Sequence, residues 1–180
     1  MLKRVGVLGV VLLAVVLQGC VSLGAGLQSY ADSYDGYEFL YPTGWVEVRV
    51  PGGPDVVFHD IVNETENVSV VISEVPEGQT LLDLGTPTEV GYKLAKSISA
   101  IADSERTVDL LNAEAKTNGV DTYYFLEYDV TLPSGQSRHN FASAIVRRGQ
   151  LFTFNASTLD QRWAKMDEVL RRSVESFNVY

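Results

Sequence analysis

Cysteine is nearly absent from this chain: Cys20 is the only one in 180 residues, so no disulfide can form within it. Histidine is almost as scarce, and a Ser-His-Asp arrangement would have to use either His59 or His139. The sequence also lacks a Gly-x-Ser-x-Gly elbow, a phosphate-binding glycine loop and a His-Glu-x-x-His helix. These absences together point away from an enzyme. Basic charge is in short supply, with 14 Lys and Arg against 23 Asp and Glu and a net charge of −9. Such a balance opposes binding to nucleic acid or to an anionic bilayer by charge alone, since both require phosphates to be neutralised. No apolar run reaches the roughly 20 residues needed to cross a bilayer core. Internal repeats and low-complexity tracts are missing too.

What is present begins with a sorting signal. Lys3 and Arg4 form a positive start, Val5 to Leu17 supply 13 mostly apolar residues, and Leu17-Gln18-Gly19-Cys20 follows. That tetrapeptide resembles the bacterial lipobox, at which the cysteine is acylated and the leader is cut just before it. Residues 1–19 are therefore expected to be a signal peptide, Cys20 the lipidated first residue, and residues 20–33 a tether of small, mixed residues. Losing Lys3 and Arg4 moves the net charge to about −11, so membrane attachment must come from the lipid, at about 0.8 kcal/mol per buried methylene. The sequons at Asn63, Asn67 and Asn155 are chance matches in a chain with a bacterial signal.

Residues 34–180 read as one domain. Tyr37 to Tyr41, Trp45 to Val48, Asp55 to Asp60 and Asn67 to Ile72 are four closely spaced strand candidates separated by Pro and Gly turns, which favours antiparallel pairing. Thr86-Pro87-Thr88-Glu89 is a helix start, with a Thr cap, Pro at the first helical position and Glu three residues after the cap. Val90, Leu94, Ile98 and Ile101 then form one apolar stripe. Strands are expected over 107–117, 120–131, 137–147 and from Leu151. A final helix should run from Asp160 to about Glu175, with Trp163, Met166, Leu170 and Val174 on its apolar side and Lys165, Arg171 and Arg172 in solvent. Strands in a run, interrupted by one helix and closed by another, predict an α+β fold with an antiparallel sheet covered by helices.

The order and spacing of several blocks resemble the PsbP family of photosystem II extrinsic proteins, and within it the cyanobacterial lipoprotein branch. The carriers are Tyr37-Glu38-Phe39-Leu40-Tyr41-Pro42 with Gly44-Trp45, the segments 55–60 and 67–70, Leu84-Gly85-Thr86-Pro87, Tyr123-Tyr124-Phe125, Arg138-His139, Arg162-Trp163 and Ser176-Phe177-Asn178-Val179. The resemblance implies an αβα sandwich, residence on the lumenal side of the thylakoid membrane, and monomeric association with photosystem II core subunits or assembly intermediates. Plant members carry an extended, soluble amino-terminal segment that matters for retaining calcium and chloride at the oxygen-evolving centre. Here a lipid-modified cysteine and a short tether stand instead, which implies a role in assembly or maintenance.

The resemblance also implies a zinc or manganese site at His139 and Asp160, although no cofactor is required by the fold. Imidazole and carboxylate suit both ions, but a stable zinc site takes four ligands and these supply two. Without a metal, Asp160 would cap the last helix and His139 would be a surface strand residue. His59 and Asp60, adjacent on a strand, point to opposite faces and cannot jointly chelate. Arg147-Arg148 and Arg171-Arg172 are expected to be solvated, and Trp45 and Trp163 to belong to the core or its edge. The rival functions are a metal-handling lipoprotein and an envelope lipoprotein sharing only the fold.

Overall fold

Alternation along one long strand divides this domain into two cores. In the computed structural model, which describes residues 26–99 and 105–180, the order is β1 (Leu27–Asp32), β2 (Tyr37–Pro42), β3 (Val46–Val48), β4 (Val56–His59), β5 (Asn67–Glu74), α1 (Leu81–Leu84), α2 (Pro87–Ser99), β6 (Thr107–Asn118), β7 (Asp121–Thr131), β8 (Ser137–Arg147), β9 (Gln150–Leu159), α3 (Asp160–Glu175) and β10 (Asn178–Val179). Cys20, its leader and Ile101 lie outside the described residues. On β7, Tyr123 and Phe125 pack with the α3 residues Leu170 and Val174, whereas Tyr124, Leu126, Tyr128 and Val130 pack with Val90 and Ala95 of α2. Successive strand side chains point to opposite faces, so α2 and α3 lie on opposite sides of the sheet.

The main sheet has seven strands in the order β3-β4-β5-β9-β8-β7-β6, antiparallel throughout. A second sheet, β1-β2-β10, is also antiparallel and adds Tyr37, Phe39 and Val179 to the α3-side core. The α+β expectation holds, but one strand pairing differs: β2 joins β1 and β10, not β3. The expected tether over 20–33 also needs correction at its end. Leu27–Asp32 pairs with Tyr37–Pro42 across the whole length of β1, and the Tyr30 ring lies 5.2 Å from those of Phe39 and Phe58. Only Leu27 in this strand is buried, which is why its sequence lacks a strong apolar alternation.

Both helix starts on the α2 side are built from reciprocal caps. Thr86 Oγ1 accepts from the Glu89 backbone N–H at 3.3 Å, and Glu89 returns the favour by accepting from the Thr86 N–H at 2.8 Å. Those bonds hold the Glu89 carboxyl below its ordinary range, the Thr86 N–H contributing most. Thr80 and Asp83 repeat the arrangement at α1, a box the sequence reading missed. Asp160 does not cap α3: it is the first helical residue, Leu159 holds the cap position, and no side chain bonds there.

Candidate functional site

The site implied at His139 and Asp160 is assembled where β7, β8 and the first half of α3 meet. Register places His139 opposite Asp129 and Phe141 opposite Glu127, so Glu127 and His139 are diagonal neighbours on the face that α3 covers. His139 is 7% exposed, which corrects the picture of a surface residue. Its ring lies 3.7 Å from that of Trp163 at an interplanar angle of 18°, a stacked pair between strand and helix. Nε2 is 2.7 Å from Glu127 Oε1, and Nδ1 faces Asp160 Oδ1 at 4.0 Å.

Arg171, expected in solvent, closes this cluster. Its guanidinium donates to Glu127 Oε1 at 2.7 Å and also to Asp167, one helical turn earlier. It lies 4.5 Å from the centroid of Phe141 and 5.2 Å from that of Trp163. Burial pulls the guanidinium down, but the bonds to Asp167 and Glu127 outweigh it and hold the group above its ordinary value. One carboxylate oxygen of Glu127 thus serves both His139 and Arg171. Neither Glu127 nor Arg171 was identified with the site from sequence, because the contacts depend on strand register and helix placement.

A second paired charge lies nearby on the same helix. Glu66, 1% exposed, accepts from Thr158 Oγ1 at 2.9 Å and from the Arg162 guanidinium, which ties the β4–β5 turn to α3. The hydrogen bond to Glu66 is the main reason Arg162 is held above its ordinary value. The other arginine pair expected in solvent is also engaged. Arg147 bonds Asp121, while Arg148 donates to the backbone carbonyls of Asp35 and Tyr180.

Two further acidic groupings have structural roles. His59 Nδ1 sits 2.9 Å from the Asp60 carbonyl oxygen, and Asp60 Oδ1 accepts from the backbone N–H groups of Val62 and Asn63. The Asn63 N–H is the principal cause holding Asp60 below its ordinary range. Asp32, Asp35 and Asp55 have ligand-type atoms within 4.8 Å of one another. Asp32 Oδ1 already accepts from the N–H groups of Tyr34 and Asp35, and Asp55 accepts from the Tyr37 hydroxyl. Burial first, and then the Asp55 bond and charge, push the Tyr37 hydroxyl far above its ordinary value.

The His139 cluster offers a metal ion two donors, Nδ1 of His139 and the exposed carboxylate of Asp160. The bond from Nε2 to Glu127 fits such a role, because a ligating histidine commonly engages a carboxylate through its other nitrogen. Arg171 works the other way, adding positive charge beside the same carboxylate.

Comparison with known proteins bears on the whole domain. A PsbP family profile matches residues 25–179. CyanoP from Thermosynechococcus vestitus is 46% identical over 184 aligned positions, covering 100% of both chains. The chloroplast PsbP-like protein 1 of Arabidopsis thaliana is 31% identical across 86% of this chain and 65% of its own length. The solution structure of cyanobacterial PsbP (CyanoP) from Synechocystis sp. PCC 6803 superposes with a TM-score of 0.76 at 44% identity, covering 90% of this chain and 96% of that one.

Proposed function

The chain belongs to the PsbP family, and on that premise we propose that it is a non-catalytic accessory protein associated with photosystem II. It acts from the lumenal side of the thylakoid membrane, in assembly or maintenance, and is held there by acylation of Cys20. The observation that carries this reading is the end-to-end match to CyanoP, at 46% identity with full coverage of both chains. A lipid anchor raises the local concentration of the domain beside membrane-embedded partners, so a weak interface suffices. The engagement of the two histidines supports a non-catalytic role: their ring bonds go to Glu127 and to the Asp60 carbonyl rather than to a hydroxyl nucleophile.

Affinity capture from thylakoids, with Cys20 intact, tests the proposal. Recovery of photosystem II core subunits or assembly intermediates is expected. A capture that yields the lipidated protein and none of these subunits overturns it. Comparing wild type with Cys20→Ser by membrane fractionation tests the anchor separately.

A second reading, metal handling at His139 and Asp160, is favoured by the 4.0 Å approach of Nδ1 to Oδ1 and by the Glu127 contact behind the ring. Zn²⁺ or Mn²⁺ would be held by these two residues and by water. Calorimetry should then show binding that disappears in His139→Ala. Binding that survives this substitution removes the site from consideration.

A further inference from the structure

The side of the main sheet that carries α2 is only partly covered. The helix packs over β6 and β7, while the same face of β5, β9 and β8 forms the floor of a groove of about 600 Å³. This falls within the usual range for a small-molecule site, roughly 300–1,000 Å³. Leu94 and Ile98 of α2, with Val130 of β7 and Leu132 just beyond it, give it an apolar wall. Ser69, Asn140, Asn155 and Ser157 contribute hydroxyl and amide groups to its floor, and Arg106 and Arg138 add positive charge to the lining. None of the described residues that line it is Asp or Glu, although acidic residues outnumber basic ones by 23 to 14 in the chain.

The floor is a directed chain of hydrogen bonds. Arg138 donates to Ser157 Oγ through Nε at 3.0 Å and Nη2 at 2.7 Å. Ser157 Oγ donates in turn to Asn140 Oδ1 at 2.9 Å, and Asn140 Nδ2 to Asn155 Oδ1 at 3.3 Å. The side-chain carbonyl oxygens of both asparagines thus each accept a hydrogen bond within this network. Donors remain beside them: the Asn155 amide N–H groups, the second Asn140 N–H and the Nη1 protons of Arg138. Arg106 is exposed and forms no ion pair among the described residues. Arg138 also donates to the Thr65 carbonyl but meets no carboxylate directly. Burial, and next the like charge of Arg106, lower the Arg138 guanidinium from its ordinary value, with Glu66 opposing.

We infer that this groove binds a single-chain anionic amphiphile, with its acidic head at Arg106 and Arg138 and its apolar chain along Leu94, Ile98, Val130 and Leu132. Free amide donors and two arginines without a carboxylate partner among the described residues match an acceptor-rich anion, and the apolar wall adds a requirement that a bare anion cannot meet. The groove suits one small molecule better than a protein surface, whose standard interfaces bury about 800 Å² per partner. The assignment does not depend on association with photosystem II.

The test is an NMR titration of the isotope-labelled protein with decanoate, below the concentration at which it forms micelles. Saturable shifts are expected at the Asn140 and Asn155 side-chain amides and at Leu94. Decanol, which has the chain alone, should bind at least about tenfold more weakly, as expected from losing one charge-assisted contact, and acetate, which has the head alone, at least as weakly through the loss of its buried methylenes. Arg106→Gln should weaken decanoate by about the same factor while leaving the thermal midpoint unchanged; Arg138→Lys, which keeps the charge but not the fork, provides a second variant. Decanol binding as tightly as decanoate, or shifts mapping elsewhere, overturns the inference. An acidic hexapeptide that binds the same residues more tightly than decanoate also overturns it and assigns the groove to a peptide. Anionic vesicles that recruit the protein without moving these resonances do not rescue it if decanoate fails.

Discussion

The two sides of the main sheet handle charge in opposite ways. Against α3, the carboxylates of Glu66 and Glu127 are met by Arg162 and by Arg171 with His139, and an imidazole–indole stack fills the space between strand and helix. Against α2, Arg106 and Arg138 face a groove with no acidic side chain among the described residues that line it, and the amides beneath them leave donors over. The difference teaches where to look for a ligand in an acidic protein. Paired charges on the α3 side mainly hold elements together, whereas unpaired ones on the α2 side are available for recognition.

The comparison is broken most severely by removing a paired charge. Glu66→Ala should cost about 3 kcal/mol in urea unfolding, since the side chain is almost fully buried and its loss strands both Thr158 and Arg162. A cost within experimental error would mean that the pair does not tie α3 to the β4–β5 turn. His139→Ala should cost about 1–2 kcal/mol by removing a buried stack and one Glu127 contact. Trp163 emission should shift to the red as its ring loses that cover. Thr86→Ala, on the α2 side, should cost about 1 kcal/mol through loss of the helix cap.

Acid sharpens the contrast further. Asp60 has a folded pKa below its unfolded value, so its contribution to stability is complete above the unfolded pKa of about 4 and is lost as pH falls through the lower folded one. Asp60→Asn should therefore flatten the acid limb of a denaturation-midpoint profile without changing its slope near neutrality. The smallest expected effect is that of Arg106→Gln, whose stability should stay within about 0.5 kcal/mol of wild type, as for most exposed substitutions. A large loss there would show that Arg106 has a structural partner and would erase the contrast between the two sides.

Local signals in the sequence carried much of the fold. The Thr86-Pro87-Thr88-Glu89 cap marked the start of α2, and the Asp160–Glu175 helix and the Ser137–Arg147 strand have the expected bounds, because capping chemistry and periodicity are local. Leu27–Asp32 was obscure because it buries only Leu27 and reaches its partner strand through backbone pairing. At the site, His139 Nδ1 and Asp160 Oδ1 lie 4.0 Å apart. Glu127 and Arg171 could not be added from sequence. Glu127 reaches His139 by a diagonal contact across two strands, and Arg171 sits on the flank of α3 where its charge suggested solvent. The groove was equally hidden, since Asn67, Asn140 and Asn155 lie on three different strands.

The central claim is association with photosystem II, and crosslinking mass spectrometry on intact thylakoids containing the protein with Cys20 intact tests it most directly. The account predicts crosslinks between this domain and lumenal segments of photosystem II core or assembly subunits, lost together with membrane retention in Cys20→Ser. Crosslinks confined to proteins of other complexes, with the protein present at its normal level, would contradict it.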